Sequence, residues 1–260
     1  MRKSVQVTSL DDDFGTAGDV ARVRVVDETY PYQRGRLWNL VADFLYYIVA
    51  PIPVWVISRV FGMRFVNRSA VRKLGGCYLY SNHSHWADVF IPYLLAYPRR
   101  AYVVAGAFAV TKPLARVLVP MAGGIPLNTT DAGKVLFREA LTSAVDKGRP
   151  VMIAPEAHLW PYFNGIRDFS SRSFSYPVRT QTPVLPYVVT FRKRRWLTWR
   201  PPKLTITVGD PIMPQEWANA SDPKQLLRDK VHTFMVTTVQ ARNSYAWIHY
   251  KPQENCPPAL

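Results

Sequence analysis

Short apolar runs alternate with amphipathic stretches from about residue 77 to residue 241, and this alternation restricts the possible folds more than any other feature. The runs CYLYS (77–81), AYVVA (101–105) and VMIA (151–154) have the length and composition of buried strands. Between these runs, apolar residues recur at helical spacing. Strands that alternate with helices predict an α/β fold, with a mostly parallel sheet flanked by helices.

The helical stretches contain their own start and stop signals. We expect one helix from about residue 85 to residue 97, and Pro113 opens another in its first turn. Asp131 is expected to cap a third helix, which Gly148 closes. A last helix is predicted over residues 223–241, where apolar residues recur on one face.

Residues 37–61 are almost wholly apolar and are interrupted by Pro51 and Pro53. As one helix the segment is just long enough to cross a bilayer, but each proline removes a backbone donor and disturbs the preceding turn. Two short helices lying in the membrane interface fit the sequence at least as well, and a buried helix pair in a soluble protein is the third possibility. The aromatic residues expected to anchor the segment at the interface are Trp38, Tyr46, Tyr47 and Trp55.

The chain is strongly basic, with 33 Lys and Arg against 18 Asp and Glu and a net charge of +15. Such a charge favours an anionic partner: a nucleic acid, an acidic bilayer or a phosphorylated substrate. Residues 191–203, FRKRRWLTWRPPK, combine cations with Trp196 and Trp199. Beside the apolar segment this pattern favours contact with anionic lipid over nucleic acid, and a solvated loop between two strands is equally compatible with it.

Two cysteines occur, Cys77 in an apolar run and Cys256 near the C-terminus. This is neither a disulfide framework nor the spacing of a metal site, so a reduced, cytosolic setting is expected. The N-terminus has no continuous apolar core after its basic start, which argues against a secretory signal.

The stretch NHSHWAD, residues 82–88, raises the possibility of a zinc site because His83, His85 and Asp88 are suitable ligands. The metallo-β-lactamase pattern His-x-His-x-Asp-His does not fit, because the Asp comes one position late and Val89 replaces the last His. Zinc-dependent hydrolysis is therefore the weakest of the interpretations.

His83 and Asp88 form a His-x4-Asp pair directly after an apolar strand. On one continuous helix their side chains would point about 140° apart, so they would not meet. If His83 precedes the helix and Asp88 lies in its first turns, the carboxylate can contact the imidazole. Asp88 would then fix the tautomer of His83, whose other nitrogen could take a proton from an attacking hydroxyl group.

Four stretches together resemble the glycerolipid and lysophospholipid acyltransferases, the family that includes 1-acylglycerol-3-phosphate acyltransferase. NHSHWAD is similar to the first block of that family, Asn-His-x4-Asp. The later blocks, which occur in the family's order, are GGIPLNTT (123–130), IAPEAHLW (153–160) and TPVLPYVV (182–189). The apolar segment before them is similar to the family's membrane-seated helices.

The resemblance implies transfer of a fatty acyl group from an acyl-CoA or acyl-carrier-protein thioester to a lysolipid hydroxyl in phospholipid synthesis. It makes His83 the base, Asp88 its partner and Glu156 an acceptor-site residue, with Pro186 as the proline of the fourth block. No metal ion and no bound cofactor is expected. The partners implied are membrane lipid and the thioester donor, at the cytoplasmic face of the cell membrane, and nucleic acid is not expected.

Two departures from the family concern the acceptor. Thr129 stands where the second block has an Arg that meets the acceptor phosphate, and Leu159 stands where the third block ends in Arg. Loss of both removes the bidentate donors best suited to phosphate. Gly124, in the second block, either lets a ligand approach the backbone closely or simply allows the chain to turn. His158, beside Glu156, either assists acceptor binding or is a structural loop residue.

Two hypotheses for the acceptor follow. In the first, the acceptor keeps its phosphate and other cations bind it, with Arg167, Arg172 and Arg179 as candidates. In the second, the acceptor has no phosphate there, as in a glycolipid or a small alcohol. A basic binding module for lipid or nucleic acid that has lost catalysis is the alternative from another class.

The sequence thus predicts four regions. Residues 1–34 form a flexible tail, residues 35–62 a membrane-associated helical segment, residues 63–245 the acyltransferase catalytic domain and residues 246–260 a C-terminal tail.

Overall fold

The structure is a computed structural model that describes residues 3–7, 26–242 and 244–252. Its strands are β1 (Lys3–Val7), β2 (Arg64–Val66), β3 (Tyr78–Tyr80), β4 (Tyr102–Ala105), β5 (Gly124–Pro126), β6 (Val151–Ile153), β7 (Val184–Arg192), β8 (Lys203–Val208) and β9 (Ile248–Pro252). Its α-helices are α1 (Arg36–Phe44), α2 (Pro51–Val60), α3 (Ser69–Lys73), α4 (Ile91–Ala96), α5 (Pro113–Met121), α6 (Asp131–Asp146), α7 (Ser175–Thr180) and α8 (Pro223–Ala241).

A seven-stranded sheet forms the centre of the molecule, in the order β2-β8-β7-β3-β6-β4-β5. All neighbouring strands in it are parallel except β7 and β8, which form an antiparallel pair. The prediction of an α/β fold with a mostly parallel sheet flanked by helices is confirmed. Strand β3 lies in the middle, so the loop that follows it opens at the centre of one sheet edge.

The two faces of the sheet pack against different helices, because successive side chains of a strand point to opposite sides. Tyr78 and Tyr80 of β3 pack on one side with residues of α6 and α8, such as Leu141 and Val231. Leu79 packs on the other side with residues of α4. Burial on both faces explains why β3 and β6 are continuous apolar runs rather than alternating ones.

The apolar N-terminal segment forms two short helices, α1 and α2, joined by the π-helical turn Leu45–Val49. Pro51 and Pro53 lie in the first turn of α2, where a missing backbone donor costs little. Taken together, Arg36–Val49 and Pro51–Val60 have the length and composition of a span, bent by 42°, whereas no single helix in the described residues does. Leu37, Leu40, Ile48 and Ile52 are among its exposed apolar side chains.

The described parts of the two predicted tails have defined positions. Strand β1, within residues 1–34, pairs in parallel with β9, within residues 246–260. Val26 and Tyr30 are buried and pack around Val110. Residues 1–2, 8–25 and 253–260 of the predicted tails lie outside the described residues.

Two smaller features complete the fold. The predicted cap of α6 was placed one residue late: Thr130 is the N-cap, and its hydroxyl accepts a hydrogen bond from the backbone N–H of Gly133. The basic stretch at 191–203 connects β7 to β8, and Trp196 and Trp199 are exposed at its tip. Arg194 donates a hydrogen bond to the carbonyl oxygen of Val60, so this connection adjoins the end of α2.

Candidate active site at the carboxyl edge of the sheet

The candidate site lies where the parallel strands β3 and β6 end side by side, next to β7, which continues to Arg192. Tyr80 of β3 is the neighbour of Ile153 of β6 on one side and of Pro186 of β7 on the other. The residues that follow β3 and β6 therefore meet at one edge of the sheet. Crevices at the carboxyl ends of parallel strands are the usual ligand sites of open α/β sheets.

Asn82 attaches the loop after β3 to β7. Its side-chain oxygen accepts the backbone N–H of Val189 at 2.8 Å, and its amide nitrogen donates to the carbonyl oxygen of Val189 at 3.1 Å. The amide nitrogen also lies 3.2 Å from the hydroxyl of Ser84. Because an amide side chain offers both a donor and an acceptor, it replaces a strand partner here and fixes the position of the next residue, His83.

His83 and Asp88 contact each other as the sequence analysis required. His83 precedes the one-turn 3-10 helix Trp86–Phe90, and Asp88 is the third residue of that turn. The Nδ1 atom of His83 lies 3.3 Å from Oδ2 of Asp88. The Asp88 side chain is 1% exposed and that of His83 is 23% exposed, so the imidazole alone reaches solvent.

The carboxylate of Asp88 also binds the backbone of the loop. Its Oδ2 atom also accepts the backbone N–H groups of Ser84 and His85, at 3.0 and 2.9 Å. These bonds close the loop around the carboxylate, so Asp88 both orients the His83 ring and holds the backbone that carries it.

His85 has a structural position. Its Nδ1 atom accepts the backbone N–H of Ala87 at 3.0 Å, which leaves the proton on Nε2, 3.2 Å from the hydroxyl of Tyr162. Burial lowers the pKa of His85, which is consistent with a neutral ring. Both ring nitrogens are therefore engaged. Among the described residues, no group of three or more His, Cys, Asp and Glu side chains is placed to hold a metal ion.

Glu156 and Arg167 form a buried ion pair beneath the site. Their Oε2 and guanidinium nitrogen atoms lie 3.0 Å apart, and the side chains are 2% and 1% exposed. Oε2 of Glu156 also accepts the backbone N–H of His83 at 3.1 Å, and Oε1 accepts that of Arg167 at 3.1 Å. Glu156 thus supports His83 from inside the protein, and Arg167 supplies the charge that allows the carboxylate to be buried.

The loop after β6 runs alongside the loop after β3. The backbone N–H of Trp160 donates to the carbonyl oxygen of His83 at 3.2 Å, and that of Tyr162 donates to Ser84 at 2.7 Å. His158 lies in the same loop, and its carbonyl oxygen accepts a hydrogen bond from Arg167.

The other predicted site residues lie at different distances from this centre. Arg172 is exposed in the 3-10 turn Ser171–Phe174, where the carbonyl oxygen of Ser173 accepts the hydroxyl of Tyr80. Gly124 lies in the edge strand β5, and two strands, β6 and β4, separate it from β3. A Cβ atom on Gly124 would lie 2.3 Å from the side chain of Val119, so packing of α5 requires the glycine there.

Thr129 follows β5, and its hydroxyl and N–H both donate to the carbonyl oxygen of Val26. The second block therefore ends at the edge strand β5, and the strands β6 and β4 lie between it and β3, which precedes the loop of the first block. The phosphate-binding role of Arg167 stays a prediction, and it would require the buried pair with Glu156 to open.

An apolar rim borders the His83 loop. Trp86 and Val89, from the turn that carries Asp88, are about half exposed. Phe61, directly after α2, packs edge-on against His85 and Trp86 at ring distances of 4.7 and 5.3 Å. Phe61 thus connects the end of the exposed helix pair α1–α2 to the turn that carries Asp88.

Sequence reasoning missed three contacts that build the site. These are the strand-like pairing of Asn82 with Val189, the bond of His85 to Tyr162 and the pairing of Glu156 with Arg167. Asn82 carried a signal, since an amide at the end of a buried strand needs partners. The other two depend on the path of the loop after β6.

Chemically, the arrangement offers one base with a fixed tautomer. Nδ1 of His83 faces a carboxylate, so the ring's Nε2 is the nitrogen available to take a proton. The carboxylate also stabilises the positive charge that the ring then acquires.

Comparisons with known proteins give a family match and a similar fold. A family model described as Acyltransferase matches residues 62–190, which include β3, β6 and β7 up to Thr190. Among solved structures, the chain is similar to the 1-acyl-sn-glycerophosphate (LPA) acyltransferase PlsC from Thermotoga maritima, with a TM-score of 0.55 and 16% identity over 80% of this chain and 95% of that chain. At that identity the likeness concerns the fold. A comparison with curated protein sequences found no match.

Proposed function

Because residues 62–190 of this chain belong to the acyltransferase family, we propose that the protein transfers a fatty acyl group from a thioester to the hydroxyl group of a lysolipid. The donor is an acyl-CoA or an acyl carrier protein. The acceptor is a 1-acylglycerol-3-phosphate or a close relative, as for the Thermotoga protein of the same fold.

One observation carries the proposal: a partly exposed imidazole whose Nδ1 atom lies 3.3 Å from a buried carboxylate. In the reaction, Nε2 of His83 takes the proton from the acceptor hydroxyl as its oxygen attacks the thioester carbonyl carbon. The tetrahedral intermediate then collapses, the carbon–sulfur bond breaks, and the departing thiolate takes that proton from His83. No protein nucleophile is needed, since the acceptor itself attacks.

The proposed place of the reaction is the cytoplasmic surface of a membrane. The exposed apolar side chains of α1, α2 and α5, among them Leu40, Ile52 and Leu114, are supporting observations. Exposed apolar surface of this extent is a sign of a membrane or protein contact. The cationic connection between β7 and β8, with Trp196 and Trp199 at its tip, adjoins the end of α2 and suits an anionic headgroup layer.

The test of the proposed function is thiol release from a long-chain acyl thioester, offered as CoA and as carrier-protein forms, with and without lysophosphatidic acid. We expect acceptor-dependent release by the wild type and a loss of about a thousandfold in His83→Ala. Asp210→Asn, which removes the charge of an exposed residue outside the loop after β3, is the control variant.

Folded wild-type protein that releases no thiol from either donor would refute the proposal and favour a binding module. Release that needs His83 but ignores lysophosphatidic acid would keep acyl transfer and move the acceptor to another hydroxyl compound.

A further inference from the structure

A cavity of about 440 Å³ lies away from His83. Its walls come from residues 30–34, from α1, from the start of β4, from β5 and from the end of α6. Trp38, Asn39, Ala42 and Asp43 are the α1 residues that line it. The cavity therefore lies directly behind the helix whose other side exposes Leu37, Leu40 and Phe44.

The cavity is strongly cationic. Arg34, Arg100, Lys147 and Arg149 line it, against the single carboxylate of Asp43. Arg100 forms an ion pair with Asp43 at 2.6 Å. Among the described residues the other three cations take part in no ion pair, and Arg149 donates instead to the hydroxyl of Tyr102 at 2.9 Å. The lining thus has an excess of three positive charges, which favours an anion.

Arg100 adds an independent observation. It is 5% exposed, and its terminal nitrogens donate to Asp43 and to the carbonyl oxygen of Met121. The Nε atoms of Arg100 and Arg34 are both buried and have no hydrogen-bond partner among the described residues. A buried donor without a partner costs free energy, which a bound acceptor would recover.

The cavity is too far from His83 to hold the phosphate of the reacting acceptor. Tyr102 is in register with Val151, which is in register with Tyr78, so Tyr102 lies five residues before the level of His83. At about 3.3 Å per residue and about 4.8 Å per strand, His83 and the cationic end of the cavity are on the order of 15 Å apart or more. In a lysoglycerophospholipid only a few bonds separate the phosphate from the reacting hydroxyl.

We propose that this cavity binds the phosphate group of a second ligand, an anionic phospholipid of the membrane on which α1 lies. The position behind an apolar, exposed helix favours a lipid headgroup, since the acyl chains can follow the outer side of α1 while the phosphate meets Arg34, Arg100, Lys147 and Arg149. Basic pockets at membrane-facing helices bind anionic headgroups in this way. The phosphates of coenzyme A and free phosphate share the chemistry, and the experiment separates them.

The experiment is calorimetric titration of the full chain with four soluble probes: dihexanoyl phosphatidic acid, dihexanoyl phosphatidylcholine, coenzyme A and inorganic phosphate. We expect phosphatidic acid to bind, and the double variant Lys147→Ala, Arg149→Ala to raise its Kd roughly tenfold or more. The matched control, Lys224→Ala with Arg242→Ala, removes two exposed charges at α8 and is expected to leave the Kd unchanged. His83→Ala should also bind normally, which separates this site from the proposed reaction.

Arg34→Gln tests the cavity from another segment and is needed if the double variant does not fold. Phosphatidic acid that binds equally to the wild type and to both cavity variants would overturn the proposal. Coenzyme A or inorganic phosphate that binds with the same dependence on Lys147 and Arg149, while phosphatidic acid does not, would also overturn it and assign the cavity to that ligand.

Discussion

At the scale of single residues, the site is organised around two buried carboxylates with different roles. Asp88 contacts the imidazole of His83 and two backbone N–H groups, whereas Glu156 contacts the backbone of His83 and the guanidinium of Arg167. Both carboxylates therefore hold the backbone around His83, and Asp88 alone also contacts the ring. This difference separates their effects on catalysis and on stability.

Asp88→Asn is expected to lower kcat by about a hundredfold or more without a comparable rise in KM. The amide keeps an oxygen for the N–H groups of Ser84 and His85, but it loses the charge that stabilises the His83 imidazolium. Steady-state kinetics with the best thioester checks this, with circular dichroism to show that the fold persists. A variant with the kcat of the wild type would remove Asp88 from the proposed mechanism.

Glu156→Gln is expected to reduce the free energy of unfolding by about 3 kcal/mol, because it leaves the Arg167 charge buried without its counterion. Arg167→Met should also be destabilising, because it leaves the Glu156 carboxylate buried without its counterion. The double variant should lose less than the sum of the two, a result that denaturant titration of all four proteins would measure. Additive losses would show that the two side chains do not act as a pair.

At the scale of elements, short apolar runs and capping signals predicted the helices and strands of the central domain well. Burial on both faces forces β3 and β6 to be apolar throughout, which makes them visible in the sequence. Strands β1 and β9 were missed because apolar and polar residues are mixed in both and because they are defined by pairing between distant parts of the chain. The order of strands in the sheet likewise depends on long-range packing.

The helix pair α1–α2 is the element on which the proposed membrane contact depends. Leu40→Glu with Ile52→Glu should reduce the partition coefficient on anionic vesicles roughly tenfold or more, because both side chains are about 70% exposed on its apolar side. Vesicle co-sedimentation measures this, and Val135→Glu on α6 provides a matched exposed apolar site elsewhere. An equal reduction of the partition coefficient in Val135→Glu would show that added negative charge, and not the loss of apolar surface on α1 and α2, weakens binding.

At the scale of the whole molecule, the blocks that the sequence analysis singled out separate into two groups. The first, third and fourth blocks meet at the centre of one sheet edge, around Tyr80, Ile153 and Pro186. The second block ends at the outer strand β5, beside the cationic cavity. The sequence alone predicted the contact between His83 and Asp88, because the two residues are close together in the chain. The role of Arg167 depends on how the loop after β6 folds back, which spacing alone does not determine.

This arrangement bears on how a phosphate acceptor would be held. Thr129 and Leu159 stand where the resemblance described in the sequence analysis implies arginines, and Arg167 is paired with Glu156. Of the other two candidates, Arg179 lies in the last turn of α7. Arg172 is exposed in the turn whose Ser173 carbonyl oxygen accepts a hydrogen bond from the hydroxyl of Tyr80, at the end of β3, so we test Arg172 first. We expect Arg172→Ala to raise KM for lysophosphatidic acid about tenfold and to leave kcat unchanged, since such a contact acts equally in the ground and transition states.

The matching measurement uses monoacylglycerol, which has the same hydroxyl groups and acyl chain but no phosphate. Its kcat/KM should be lower than that of lysophosphatidic acid for the wild type and unaffected by Arg172→Ala, with Arg242→Ala as the control for loss of an exposed charge. Equal use of the two acceptors by the wild type would contradict the phosphate acceptor. The absence of the two family arginines would then reflect a change of acceptor rather than their replacement by Arg172.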